Sequence, residues 1–149
     1  MSGLTADQRS QYDDKGYVLL EAIFQPQELK GLIDEINNSV DQIAKSYYAN
    51  ESIRSKYEDH GFDTRLMKII EDAPDAYDAL VGSVLMGPEL FKILSHSRLI
   101  DIVEGIVGPE VHCEGRHRLR PKLPNYGVAD FRWHEDTAYA AKRITYVQQ

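Results

Sequence analysis

The sequence predicts an α+β fold in one domain, mainly helical over residues 1–109 and built of strands over 110–149. Two observations carry this. Before Pro109 apolar residues recur at helical spacing in several stretches, and after Pro109 the period changes from 3.6 to 2. A third supports it: Gly16, Pro26, Pro88 and Gly108-Pro109 punctuate the chain where helices start or stop.

In chain order, Thr5-Ala6-Asp7-Gln8 has the form of a capping box, so a short helix is expected to about Lys15 with Gly16 as its stop. Tyr17 to Ile23 reads as a largely buried strand, since its apolar residues hardly alternate with polar ones. Pro26 suits the first turn of a helix. From there Leu29, Leu32, Ile33, Ile36, Val40, Ile43, Ala44 and Tyr47 form one apolar stripe. Residues 49 to 72 are polar and irregular around Gly61, which predicts a loop with one short strand or turn at Leu66 to Ile70. Helical patterning resumes at Ala76 to Leu85 and at Pro88 to Leu94. Leu99, Ile102, Val103, Ile106 and Val107 then mark a last helix, capped by Ser97 and closed by Gly108-Pro109.

Beyond Pro109 the alternation places Val111, Cys113, Gly115, His117, Leu119, Pro121 and Leu123 on one strand face. His112, Glu114, Arg116, Arg118, Arg120 and Lys122 fall on the other. Pro124-Asn125-Tyr126-Gly127 signals a turn, Val128 to Asp136 a second extended segment, and Ile144 to Val147 a third. Cys113 reads as a packing residue. Phe131 and Trp133 alternate with Arg132 and His134 and are expected to pack under the helices.

Composition limits the function classes. A net charge of -7 argues against a broad surface for nucleic acid or an anionic membrane. With a single cysteine no intrachain disulfide can form, and a reducing compartment is the natural home. No apolar run approaches the roughly 20 residues that span a bilayer, and the N-terminus lacks the pattern of a secretory signal. The expected location is cytoplasmic.

The chemistry is concentrated in Trp133-His134-Glu135-Asp136. Residues two apart in a strand share a face, so the His134 imidazole and the Asp136 carboxylate can point to one side. They match two of the three protein ligands in the 2-His-1-carboxylate set of non-haem iron enzymes. The pair reads equally as a surface histidine and aspartate beside a turn. The Arg116, Arg118, Arg120 and Lys122 series reads either as a solvated strand face or as a cationic lining for an anionic ligand, since guanidinium groups grip carboxylates in two places. His112 and His117 read as ordinary strand histidines or as a substitute third ligand. His60 and His96 read as loop and helix-linker residues.

Taken together, several stretches resemble the phytanoyl-CoA dioxygenase family of Fe(II)- and 2-oxoglutarate-dependent oxygenases. They are Leu4-Thr5 with Gly16-Tyr17-Val18-Leu19-Leu20-Glu21, Pro26-Gln27-Glu28-Leu29, Ile106-Val107-Gly108-Pro109, Arg120-Pro121-Lys122-Leu123-Pro124, and Trp133-His134-Glu135-Asp136. The resemblance implies helices packed on the first strands of a double-stranded β-helix, or jelly-roll. It implies Fe(II) held by His134 and Asp136, with Arg118 and Lys122 on the cosubstrate 2-oxoglutarate. It further implies O2 and a small organic molecule as co-reactants. Halogenating relatives lack the carboxylate, so Asp136 implies hydroxylation or a related oxidation.

The family's second metal histidine and its 2-oxoglutarate-gripping arginine lie well downstream of the His-x-Asp, and this sequence ends thirteen residues after Asp136. A jelly-roll has about eight strands, and the residues from Val111 on supply about three of ~5–6 residues each. The expectation is the front portion of a dioxygenase, apparently incomplete, whose open sheet edge self-associates or pairs with a missing C-terminal portion. Two other classes stay open. One is a non-catalytic remnant or interaction module; the other is a metal-binding protein of another type, using His134, Asp136 and an upstream histidine.

Overall fold

A computed structural model describes residues 3–82, 87–113, 117 and 119–124. The chain divides into two compact units, residues 1–119 and 120–149. In the second unit the described residues, 120–124, form no regular element.

The first unit is helical. Its elements are α1 (Ala6–Lys15), α2 (Pro26–Ala49), α3 (Phe62–Asp72), α4 (Ala76–Gly82), α5 (Pro88–Leu94) and α6 (Ser97–Val107). The α1 termini follow from local chemistry. The Thr5 hydroxyl accepts from the Gln8 amide at 3.2 Å, and the Gln8 side chain accepts from the Thr5 amide at 2.9 Å. Gly16 ends the helix in the left-handed region at φ 76°, a conformation that costs a residue without a Cβ almost nothing. Pro26 and Pro88 occupy first turns, where a missing amide hydrogen leaves no bond unmade.

The core lies where α3 and α4 pack on the C-terminal half of α2 and on each other. Every buried apolar side chain among the described residues falls between Val40 and Leu80. Val40 and Ala44 come from α2, Leu66, Ile69 and Ile70 from α3, and Ala76, Tyr77 and Leu80 from α4. Ile53 and Ala73, from the connections, complete it. The partly buried Arg65 guanidinium bonds Asp41 of α2 at 2.9 Å and the Lys56 carbonyl at 3.1 Å, tying α3 to α2 and to the loop between them.

The other limb is joined differently. The Glu35 carboxylate of α2 accepts from the Glu89 and Leu90 amides at 2.9 and 3.1 Å, capping α5 across 54 and 55 residues of sequence. Glycines make the approach possible: a Cβ at Gly87 would overlap the Glu35 carboxylate, and one at Gly31 would overlap the Glu89 side chain. α5 packs on α6, and the Arg9 guanidinium of α1 reaches the Gly105 and Ile106 carbonyls at the end of α6. No residue of α5 or α6 is buried; the α6 stripe is half-covered and Phe91 is 69% exposed.

Several sequence expectations are corrected. Among the described residues every regular element is a helix and none is a strand, so the α+β jelly-roll class is overturned. Tyr17 to Ile23 is neither a strand nor buried: Tyr17 and Leu19 are 61% and 74% exposed, and Ala22 breaks the extended run at φ 54°. A strand is stable only when a neighbour takes up its amides and carbonyls, and no other described segment does so. The described positions of the 111–123 stretch likewise form no strand, and Cys113, expected to pack, is exposed.

Residues 62 to 72, expected as loop, form α3. Phe62, Leu66, Ile69 and Ile70 stand at i, i+4, i+7 and i+8, one helical face whose intervening residues are mostly polar, and Gly61 is its N-cap. The cap of α6 is His96, not Ser97: its Nδ1 accepts from the Arg98 amide at 3.2 Å. The second and third extended segments lie outside the described residues.

Replacing Ile69, which is fully buried, by alanine is expected to cost ~2–5 kcal/mol through lost burial and the cavity left behind. Leu19→Ala should change stability by less than ~0.5 kcal/mol; chemical denaturation of both variants checks the contrast. Glu35→Ala should cost ~1 kcal/mol by leaving the α5 amides uncapped, with amide exchange accelerating at Glu89 and Leu90 before the core.

Candidate functional site

Of the residues singled out in the sequence, His134, Asp136 and Arg118 lie outside the described residues. Lys122 is described and exposed, as is Arg120. His112 is exposed and His117 half-buried. Among the described residues no group of three or more His, Cys, Asp or Glu side chains could hold a metal ion. Also among them, no helix is long and apolar enough to cross a membrane.

The most organised polar constellation in the described chain centres on Asp72. This carboxylate ends α3, whose last turn carries no basic residue. A negative charge there opposes the helix dipole, so it needs cationic or hydrogen-bonding partners. The loop from Asn50 to Gly61 supplies them. Asp72 accepts from the Arg54 Nε at 2.8 Å and the Arg54 amide at 3.0 Å, and the Arg54 Nη2 stands 2.6 Å away. The Tyr57 hydroxyl donates to the same carboxylate at 2.5 Å. Arg54 first, then Tyr57 and the Arg54 amide, hold the Asp72 carboxyl far below the ordinary carboxylate range. The same bond and burial push the Tyr57 hydroxyl up.

The loop is anchored at other points. Ile53 is 4% exposed and inserts into the core, and the Ser52 amide donates to the Tyr47 carbonyl at 2.8 Å. Glu51 and Tyr57 stand at φ 62° and 52°, conformations that non-glycine side chains rarely adopt. The Tyr57 ring meets His60 edge-on at 5.8 Å between centroids. At the α2 C-terminus, burial and then the Asp75 carboxylate, 2.9 Å away, raise the Tyr47 hydroxyl.

A second constellation joins the N-termini of α2 and α6. Glu28 pairs with Arg98, and the His96 Nε2 lies 3.5 Å from the Glu28 carboxylate. Phe24 meets His96 edge-on at 5.3 Å and lies under the Arg98 guanidinium at 5.8 Å. Arg98 and then the Gln25 amide lower the Glu28 carboxyl. Neither cluster was singled out from the sequence. An acid at the end of a helix with no neighbouring base was the available signal for the first, once 62–72 is read as a helix.

Comparison with known proteins gives one kind of relative. The chain is 25% identical over 134 residues to the ectoine dioxygenases of Bordetella parapertussis and Bordetella bronchiseptica. The match covers 89% of this chain and 37% of theirs, so the chain spans little more than a third of the length of these curated relatives. No family model matches, and no solved structure matches.

The lowered Asp72 carboxyl fixes a pH response. On acidification the unfolded chain takes up this proton first, near the ordinary aspartate value of ~3.9. The stability that Asp72 contributes is therefore fully present above that value and is lost as pH falls below it toward the folded-state value. Asp72→Asn should flatten the acid limb of stability below about pH 4 while lowering stability at neutral pH; unfolding midpoints across that range test both parts.

Proposed function

We propose that this chain serves a non-haem Fe(II)- and 2-oxoglutarate-dependent dioxygenase that hydroxylates a small organic substrate with O2. The observation that carries the reading is the similarity to the two ectoine dioxygenases along 134 residues. The His134-x-Asp136 pair supports it. So does the accessible Lys122, an exposed cation four residues after Arg118.

The two donors present, of the three that the set requires, suit the metal. An imidazole nitrogen and a carboxylate oxygen are the mixed ligands that suit Fe(II), and both bind only when deprotonated. When bound, the metal supplies the oxidation of a substrate C–H bond by O2. His134 and Asp136 then have the task of holding it, and Asp136 adds a negative charge that offsets part of the ion's own. Arg118 and Lys122 would offer donors to the carboxylates of 2-oxoglutarate. A guanidinium does so with a planar fork and an ammonium as a point charge, so Arg118 would orient the cosubstrate and Lys122 would mainly attract it. The further partners of this reading are small molecules, with neither nucleic acid nor membrane among them, together with either a second copy of the chain or a C-terminal portion that completes the sheet.

Trp133 is the one tryptophan and adjoins His134, which makes its emission a local probe. Anaerobic titration with Fe(II) is expected to quench it. His134→Ala and Asp136→Ala should each weaken the iron response about tenfold or more. Lys122→Ala should weaken only the further response to 2-oxoglutarate. Quenching that survives unchanged in both ligand variants would place the metal elsewhere and sink the assignment.

A further inference from the structure

A hollow of about 310 Å³ opens between the end of α2 and the loop that follows it, lined by Tyr48, Arg54, Lys56, Tyr57, Glu58 and Asp59 together with Ser55. Its volume lies at the small end of ligand sites. The lining carries two cations and two carboxylates, and both cations are engaged in ion pairs. Lys56 pairs with Glu58 at 2.9 Å, and Arg54 pairs with Asp72 at 2.6 Å. Asp59 has no ion-pair partner among the described residues, and its side chain is exposed. With both cations engaged, one of them by Asp72 outside the lining, Asp59 is left as the unpaired charge beside two tyrosines.

The walls are held before any ligand arrives. Tyr57 is fixed by its hydroxyl on Asp72 and by the edge contact with His60, and the loop backbone is pinned by the buried Ile53 and the Arg54 amide. Tyr48, in the last turn of α2, has 49% of its surface open. Aromatic faces are electron-rich and attract cations, most strongly organic ammonium groups that shed water cheaply. An anion would meet Glu58 and Asp59, while the two lining cations, Arg54 and Lys56, are already paired with carboxylates. A bare metal ion would find two carboxylates, one of them already engaged by Lys56.

We propose that this hollow binds a small organic ammonium, with Asp59 supplying the counter-charge and the rings of Tyr48 and Tyr57 the apolar and cation–π contacts. The proposal does not rest on the oxygenase reading, because every residue it uses lies in the α2–α3 segment.

The test is a titration of the 149-residue chain with choline and, separately, with its uncharged isostere 3,3-dimethylbutanol, followed by NMR of the tyrosine ring signals. Choline should shift the Tyr48 and Tyr57 signals saturably, and the isostere should bind about fivefold more weakly or worse, the loss expected for one cation contact at an open site. Asp59→Asn and Tyr48→Ala should each weaken choline by a similar factor with an unchanged unfolding midpoint, since both side chains are exposed. Equal binding of the isostere would overturn the proposal. So would an unchanged choline response in Asp59→Asn, or ring shifts produced by acetate and not by choline.

Discussion

The packing of α3 and α4 on the C-terminal half of α2 is the constraint on which the rest of the described structure depends. It buries Ile69, Leu80, Ala44 and Ala76 almost completely. Burying side chains of this kind contributes ~1.5–3 kcal/mol for each large one, more than any polar contact nearby. The loop from Asn50 to Gly61 is ordered as a consequence. Ile53 enters the core, Arg65 holds the Lys56 carbonyl from the α3 side, and Asp72, placed by α3, collects the Arg54 and Tyr57 donors. The hollow beside Tyr48 is thus a by-product of core formation at a distance.

The α5–α6 limb rests on a different balance. Besides the packing of α5 on α2, its links to α2 are the Glu35 cap on α5, the Glu28–Arg98 pair and two close glycine approaches. Exposed ion pairs contribute ~0–1 kcal/mol each, and no residue of either helix is buried. Stability in this unit is therefore uneven: high where aliphatic side chains interlock, lower where helix ends are capped by carboxylates. Local opening is expected to begin in the second region, where few apolar contacts hold the helices.

Polar residues take structural duties in this protein where a sequence reading first seeks chemistry. His96 caps α6 and contacts Phe24; His60 packs against Tyr57; Arg54 neutralises Asp72 at the end of α3. The first and last of these duties arise from a helix terminus that needs hydrogen bonds or charge. The residues on which the oxygenase reading turns, His134 and Asp136, were marked out by their spacing and context rather than by such a terminus.

The sequence by itself determined the helices whose signals are local. The Thr5–Gln8 capping box, Gly16, the two first-turn prolines and the long α2 stripe are satisfied within a few residues or along one helix face, so pattern alone suffices. What only the tertiary structure decided is where burial falls. The α2 stripe runs from Leu29 to Tyr47, yet only Val40 and Ala44 are buried, because α3 and α4 cover that end. The run from Tyr17 to Ile23 has strand-like composition but finds no partner strand among the described residues, and a strand exists only through its neighbour. Residues 62 to 72 look polar in sequence, and become a core helix because Leu66, Ile69 and Ile70 meet α2 and α4 on the one face that is apolar.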